Sequence, residues 1–330
     1  MKRIRKVVRR TKKLIKNDLC CELGTWLPFE FCNAVVGKYD DEALLGTSLL
    51  VSTKRGFFHF VDGEIRRLLD GQFFGVTGHD GAWFFFQRVS KWSGRIVQFG
   101  FKGKRAINPR QVITRLSPGC HQIDFLGSDL YVTDTYNNRL CVYETVAGEL
   151  KKRGQYFPGG ELANGRQSSN YAHMNSIWRS DSDIYVLFHN ETKKTGRHSE
   201  IIRLDTNHAI AERISTTASN AHNVVNVDGE FLFCDSLYGK LMSGDSVVYQ
   251  SEYFTRGLAV TPDLVFLGAS EYGARETRDQ LAGGITVLDR RFNFRHFIPT
   301  PGMVQDVRAV NRLDCAMSNR LLTPDGSEAD

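Results

Sequence analysis

No run of apolar residues in this 330-residue chain approaches the ~20 that a membrane-spanning helix needs, and no secretory apolar core follows its first residues. The expectation is a cytoplasmic protein. Cysteine is sparse and unpaired by pattern. The seven (Cys20, Cys21, Cys32, Cys120, Cys141, Cys234, Cys315) are odd in number and show no C-x-x-C spacing, which argues against a disulfide framework or a zinc knuckle. There is no G-x-S-x-G elbow, no phosphate-cradling glycine loop and no H-E-x-x-H, so serine-elbow, P-loop and helical zinc-protease chemistries lack their signatures. Gly159-Gly160 and Gly283-Gly284 flank turns and open no helix. Proline is scarce too, at 8 against 30 glycines.

Basic charge is absent from most of the chain, although the net charge is +6. Residues 1–17 hold nine Lys or Arg and no acid, leaving 34 basic against 37 acidic residues in the remainder. The body is near neutral, and nucleic acid is not an expected partner. In the tail, Ile4, Val7, Val8, Thr11 and Ile15 recur at helical spacing among the cations, as in a basic amphipathic helix that lies on an anionic membrane surface or grips an acidic partner. A solvated tail with no specific partner is the other reading. The expected division is a basic tail, 1–17, and one domain, 18–330.

What the domain has is strands. In Gly119–Glu144, short apolar runs (Ile123 and Phe125; Leu130 to Val132; Leu140 to Tyr143) are separated by Gly127-Ser128-Asp129 and Tyr136-Asn137-Asn138. Runs this short read as strands, and the residues between them have turn chemistry. The layout recurs. Ser48–Thr53, Gly56–Val61 and Glu64–Leu69 match Phe231–Asp235, Lys240–Ser243 and Ser246–Gln250, and four further sets follow the same order. First strands start near Phe74, His121, Asn175, His222, Arg256 and Gln305, at spacings of 47, 54, 47, 34 and 49 residues. The last lies at the C-terminus while its companions, Ser48–Leu69, lie at the N-terminus. A ring closed by joining the two ends explains that offset. The fold class is therefore all-β: a propeller of six four-stranded blades. Phe31–Val36 and Leu313–Ser318 are left over, and a seventh blade containing them is the alternative. Trp83 to Phe86, Phe57, Phe58 and Trp178 are expected to fill the wedges between blades.

Tyr131–Leu140, YVTDTYNNRL, resembles the core of the NHL repeat, in which a strand ends in Asp and two Asn precede an Arg. The resemblance implies a propeller of the NHL-like or gluconolactonase-like kind. Among such propellers, the peptide-amidating lyases carry a histidine-bound zinc in the mouth of the channel. The gluconolactonase and paraoxonase-like propellers place calcium there with Glu, Asn and Asp. No contiguous motif of either matches, so no catalytic assignment is carried over.

In an up-and-down blade, the start of the first strand and the end of the second share one end of the sheet. His121, His173 with Asn175, His222, Arg256 and Gln305 should therefore ring one mouth, together with Gln87, Asp134, His189, Asn190, Asp235 and Glu271. A polar concave mouth is where a small molecule or peptide would bind. His121, His173 and His222 come from three successive blades. They are the candidate ligands of a divalent metal, zinc or another transition metal in preference to calcium. Asp235 or Glu271 would be acid/base and Arg256 would orient an anionic substrate, as in a metal-dependent hydrolase or lyase. The alternative is a non-catalytic propeller that binds a peptide, glycan or protein on the same rim. Gly159–Ala172 is a candidate lid, and Arg275 and Arg278 in the Tyr272–Ala282 insertion are candidate anion contacts.

Overall fold

The apolar runs become strands at the expected places. A computed structural model describes residues 30–39, 44–180, 183–273 and 281–318; residues 1–17, Arg275 and Arg278 lie outside them. Six antiparallel sheets follow one another. Blade 1 takes its inner strand, Val304–Ala309, from the C-terminal part of the chain and adds Ser48–Thr53, Gly56–Val61 and Glu64–Asp70. The inner strands of blades 2 to 6 are Gln72–His79, Cys120–Leu126, Met174–Ser180, His222–Val227 and Phe254–Val260. Ring closure is the antiparallel pairing Leu49↔Ala309, Val51↔Val307 and Thr53↔Val304.

The two leftover segments build no seventh blade. Ala34–Lys38 is a fifth, outermost strand of blade 1, paired through Ala34↔Arg67 and Lys38↔Glu64. The C-terminal segment 310–318 crosses the end of the channel opposite the mouth. Asp314 anchors it by accepting the N–H groups of Val260 and Ala309, each at 3.0 Å. Ser318 donates from N and Oγ to Asp124, at 2.9 and 2.7 Å. The Trp178 indole donates to the Cys315 carbonyl at 2.9 Å. The segment carries buried carboxylate and serine contacts where a strand would carry alternating apolar residues, so it serves as a plug.

Packing follows from the aromatic supply. Phe57, Phe73, Phe85 and Phe99 pack between blades 1 and 2 with ring centroids 4.7–5.8 Å apart. Phe74, Phe84, Phe86 and Phe125 fill the next wedge. Each such fully buried ring contributes on the order of 1.5–3 kcal/mol over an exposed one. The wedges hold the ring together, so the polar side chains of the mouth are not needed for that task.

Candidate functional site: a histidine quartet at the channel mouth

Every inner strand is interrupted near its first residues by a shift of register against its neighbour. The residues released are Phe74 and Gly75 opposite Phe86, His121 and Gln122 opposite Thr133, Asn175 in blade 4, Asn223 in blade 5, Arg256 and Gly257 opposite Gly268, and Gln305 in blade 1. A β-bulge turns a side chain out of the ladder and re-aims it. Six bulges at one level thus turn one residue or a pair from each blade toward the axis. Gly75 shows how close the blades come there: a Cβ on it would lie 2.4 Å from the Ile123 nitrogen.

At the bulges the channel is stitched by side chains that bind the backbone of the next blade's inner strand. Gln122 Oε1 accepts Ile177 N–H, Ser176 Oγ accepts Asn223 N–H, and Asn223 Oδ1 accepts Gly257 N–H, at 3.1, 2.8 and 2.8 Å. This polar floor fixes the angle at which the residues above it enter the mouth.

Four imidazoles stand on that floor. Around the quartet, ring centroids are 4.9 Å apart for His121–His173, 4.2 Å for His173–His189, 5.2 Å for His189–His222 and 6.2 Å for His222–His121. The contacts alternate between edge-to-face and stacked. Phe74 stacks beside His121, and Phe254 meets His222 edge-on while stacking on Tyr272. The Arg256 guanidinium lies 6.0 Å from the Phe74 ring centre, within cation–π range.

Burial holds all four imidazoles below the usual histidine range. For His121, His189 and His222 the displacement is large, and Arg256 and the neighbouring imidazoles add to it. His173 is also lowered by burial, against the opposing pull of Glu191. The quartet is therefore neutral at neutral pH, with lone pairs available. His121 Nδ1 and His173 Nε2 are buried without a hydrogen-bond partner, and His173 Nδ1 has only the Glu191 carboxylate nearby, at 3.6 Å, beyond hydrogen-bond length. His222 Nδ1 shares a 2.9 Å hydrogen bond with Ser236 Oγ, and His189 Nδ1 accepts Glu191 N–H at 3.0 Å.

The expected residues divide into two groups. His121, His173, His222 and Arg256 lie together, and His189, foreseen on the rim but not among the ligands, completes their ring. Asp235 stands aside: its buried carboxylate accepts Ser219 N–H at 2.9 Å, and burial raises its pKa. Glu271 is exposed and receives Ala282 N–H at 3.4 Å. Asp134 closes the NHL-like turn, accepting from Arg139 Nε at 2.7 Å and Asn137 Nδ2 at 2.8 Å. Glu191, which sequence reasoning passed over, faces His173 with Oε1 3.6 Å from Nδ1. The candidate lid is pinned to the turn of blade 3, where Asn138 Oδ1 accepts Ala172 N–H at 3.1 Å and Asn138 Nδ2 donates to Asn170 O at 3.2 Å. Between that loop and Glu191 lies a recess of about 540 Å³ bordered by Arg166 and Lys194.

A transition metal sits in the plane of each imidazole that binds it, roughly 2.0–2.1 Å from the nitrogen. His173 and His189 are 18° from parallel and face to face, and His121 and His222 are likewise stacked, 19° from parallel with centroids 6.2 Å apart, so the ring planes of neither pair converge on one ion at that distance. Among the described residues, no three His, Cys, Asp or Glu side chains are arranged to hold a metal ion. As placed, the quartet does not fit one.

No family model and no curated protein sequence matches the chain. Solved structures do. A chain of a nidogen/laminin complex aligns at TM-score 0.57 and 11% identity, over 83% of this chain and 99% of that one. A gluconolactonase from Xanthomonas campestris aligns at 0.54 and 11%, over 85% and 91%. The fold is gluconolactonase-like. The periplasmic gluconolactonase of Pseudomonas aeruginosa aligns at 0.50 and 11%, over 80% and 99%. At such identities the likeness is one of fold alone. No described helix is long and apolar enough to cross a membrane.

Proposed function

We propose that the mouth binds a small anionic molecule and hydrolyses it, or eliminates across one of its bonds, with imidazole as the proton carrier. The observation that supports this is the convergence of four neutral imidazoles and Arg256 at the open end of a plugged channel. A neutral imidazole is the side chain best matched to proton transfer near pH 7, and a largely desolvated guanidinium attracts an anion to it. The acid/base role that the sequence suggested for Asp235 or Glu271 passes to histidine in this reading. Small lactones and esters bearing a carboxylate are the first substrates to test. Turnover that falls about 10²–10⁴-fold in His173→Ala and His189→Ala, with melting nearly unchanged, supports the reading. Tight binding of such anions with no turnover supports the non-catalytic binding propeller.

A divalent metal, zinc or another transition metal, is the second reading. It is favoured by the unpartnered nitrogens His121 Nδ1 and His173 Nε2 and requires His173 to leave its stack on His189 so that it shares an ion with His121 and His222. Calcium suits this nitrogen-rich mouth less well, because it takes oxygen ligands. The basic tail is proposed to hold the domain on an anionic membrane surface.

A further inference from the structure

Glu191 touches two members of the quartet in two different ways. Its backbone N–H donates to His189 Nδ1 at 3.0 Å. Its carboxylate is divided: Oε2 pairs with Lys194 Nζ at 2.9 Å, and Oε1 faces His173 Nδ1 at 3.6 Å. His173 and Lys194 hold the Glu191 carboxyl down at about 2, so it is an anion at neutral pH. This placement is built at some cost. Asn190 and Glu191 are consecutive non-glycine residues at positive φ, 57° and 47°, a conformation that persists only where surroundings impose it. Here Asn190 N–H is taken by Ala172 O at 2.9 Å, its Nδ2 by His198 O at 2.8 Å and Glu200 Oε2 at 2.9 Å, and its carbonyl by Thr195 Oγ1 at 2.6 Å.

A ring nitrogen that accepts an N–H is unprotonated, so neutral His189 carries its proton on Nε2. At 3.6 Å the Glu191 carboxylate is beyond hydrogen-bond length, but it repels a lone pair and attracts an N–H, so neutral His173 carries its proton on Nδ1 and keeps a lone pair on Nε2. We propose that Glu191 fixes opposite tautomers on these two stacked histidines, leaving a lone pair on the buried His173 Nε2 and a hydrogen-bond donor, Nε2–H, on His189. Glu191 is a positioning residue in this assignment. The chemistry rests on the hydrolase reading above. A water brought against His173 Nε2 when substrate displaces the packing over that buried nitrogen gives it a proton as its oxygen bonds to the substrate carbonyl carbon. The carbonyl oxygen becomes an oxyanion and accepts from His189 Nε2–H, as a neutral imidazole can do without losing its proton. Collapse breaks the bond to the leaving oxygen, which takes the proton back from His173. Glu191 stabilises the transient imidazolium.

The test is nuclear magnetic resonance of the full chain isotope-labelled on histidine, with no substrate present; ring-nitrogen shifts separate protonated from bare nitrogens, and His173→Gln and His189→Gln assign the signals. The expected result is a proton on Nδ1 for His173 and on Nε2 for His189. Glu191→Gln should disturb His173 alone, because the backbone N–H at 191 remains. A proton on Nε2 of His173 or on Nδ1 of His189 in the unaltered protein overturns the proposal, and that measurement needs no variant to fold. Once a substrate is in hand, Glu191→Gln should lower kcat on the order of 10²-fold with KM nearly unchanged. An unchanged kcat overturns the catalytic half. Because the tautomers are read without substrate, failure to find turnover tells against the hydrolase reading and not against the tautomers.

Discussion

The carboxylate of Asp306, near the last strand's start, accepts the backbone N–H of Val76 in the bulge of blade 2, across the closure, at 3.0 Å. The same carboxylate receives Arg308 Nη1 at 2.8 Å and Asn223 Nδ2 at 3.4 Å. Both charged residues are almost wholly buried, at 2% and 1% side-chain exposure. A single side chain thus ties the inner strands of blades 1, 2 and 5 below the quartet.

Asp306→Ala would remove the carboxylate that Arg308 Nη1 hydrogen-bonds, leaving the buried cation with only the more distant charges of Asp124 and Asp314, and would free the Val76 N–H. Breaking a buried pair from one side costs about 3–5 kcal/mol. Denaturant unfolding should show a loss of that size, with Asp306→Asn milder because it keeps the shape and an acceptor. A wild-type midpoint for the alanine variant would show that the closure does not depend on this pair.

Acid stability carries the signature of the quartet. The folded pKa values of His121, His189 and His222 lie well below the ordinary 6.5. The unfolded chain then takes up protons that the folded chain refuses, so stability present above pH 6.5 is lost as pH falls below it. Asp306 acts in the opposite sense. Burial raises it from 3.8 to about 6, so the folded state holds a proton that the unfolded state has released, and stability increases as pH falls through that interval. Melting temperature followed from about pH 7.5 to about pH 5 should fall. The fall should be shallower in His189→Phe and steeper in Asp306→Asn. Parallel profiles for all three proteins would contradict this assignment.

Much of the fold was legible because its signal is local and repeated. Six inner strands and the offset between the chain ends follow from runs such as Leu130–Val132 and turns such as Asn137-Asn138. The plug was not legible: Asp314 and Ser318 act through a few individual hydrogen bonds, to Val260, Ala309 and Asp124, which leave no period. The mouth was legible in part, since strand order alone places His121, His173 and His222 together. Glu191 was invisible for a different reason. It follows Asn190 in a loop, and only two successive left-handed residues turn its carboxylate back toward His173, which no strand pattern foretells.

Closure by the last inner strand makes a sharp prediction. A fragment ending at residue 300 lacks Val304–Ala309, the Asp306–Arg308 pair and the plug, and it exposes the faces of two blades. It should be insoluble or melt without cooperativity. A soluble 1–300 fragment with a single sharp transition would mean that the ring closes without its C-terminal strand.

The tail is separable from the propeller in composition, with nine cations in seventeen residues against a body of nearly balanced charge. Deleting residues 1–17 should leave melting nearly unchanged and abolish co-sedimentation with vesicles rich in anionic lipid. Binding of the full chain should weaken as salt is raised, because screening shortens to about 10 Å at 0.1 M. Indifference of the full chain to such vesicles at low salt would remove the membrane-surface role.

Metal content decides between the two uses of the quartet. With His173 stacked on His189, purified protein is expected to carry well below one equivalent of zinc, copper, iron, manganese or calcium. His121→Ala, His173→Ala and His222→Ala should then leave the metal content unchanged. Loss of the Ser236 partner in His222→Ala should cost about 1–3 kcal/mol. The contrary result is distinctive. One full equivalent of a transition metal, lost to a similar degree in each of the three variants while melting holds, would show three ligands acting as a unit. It would place His173 out of its stack and transfer the chemistry of the mouth from imidazole to the ion.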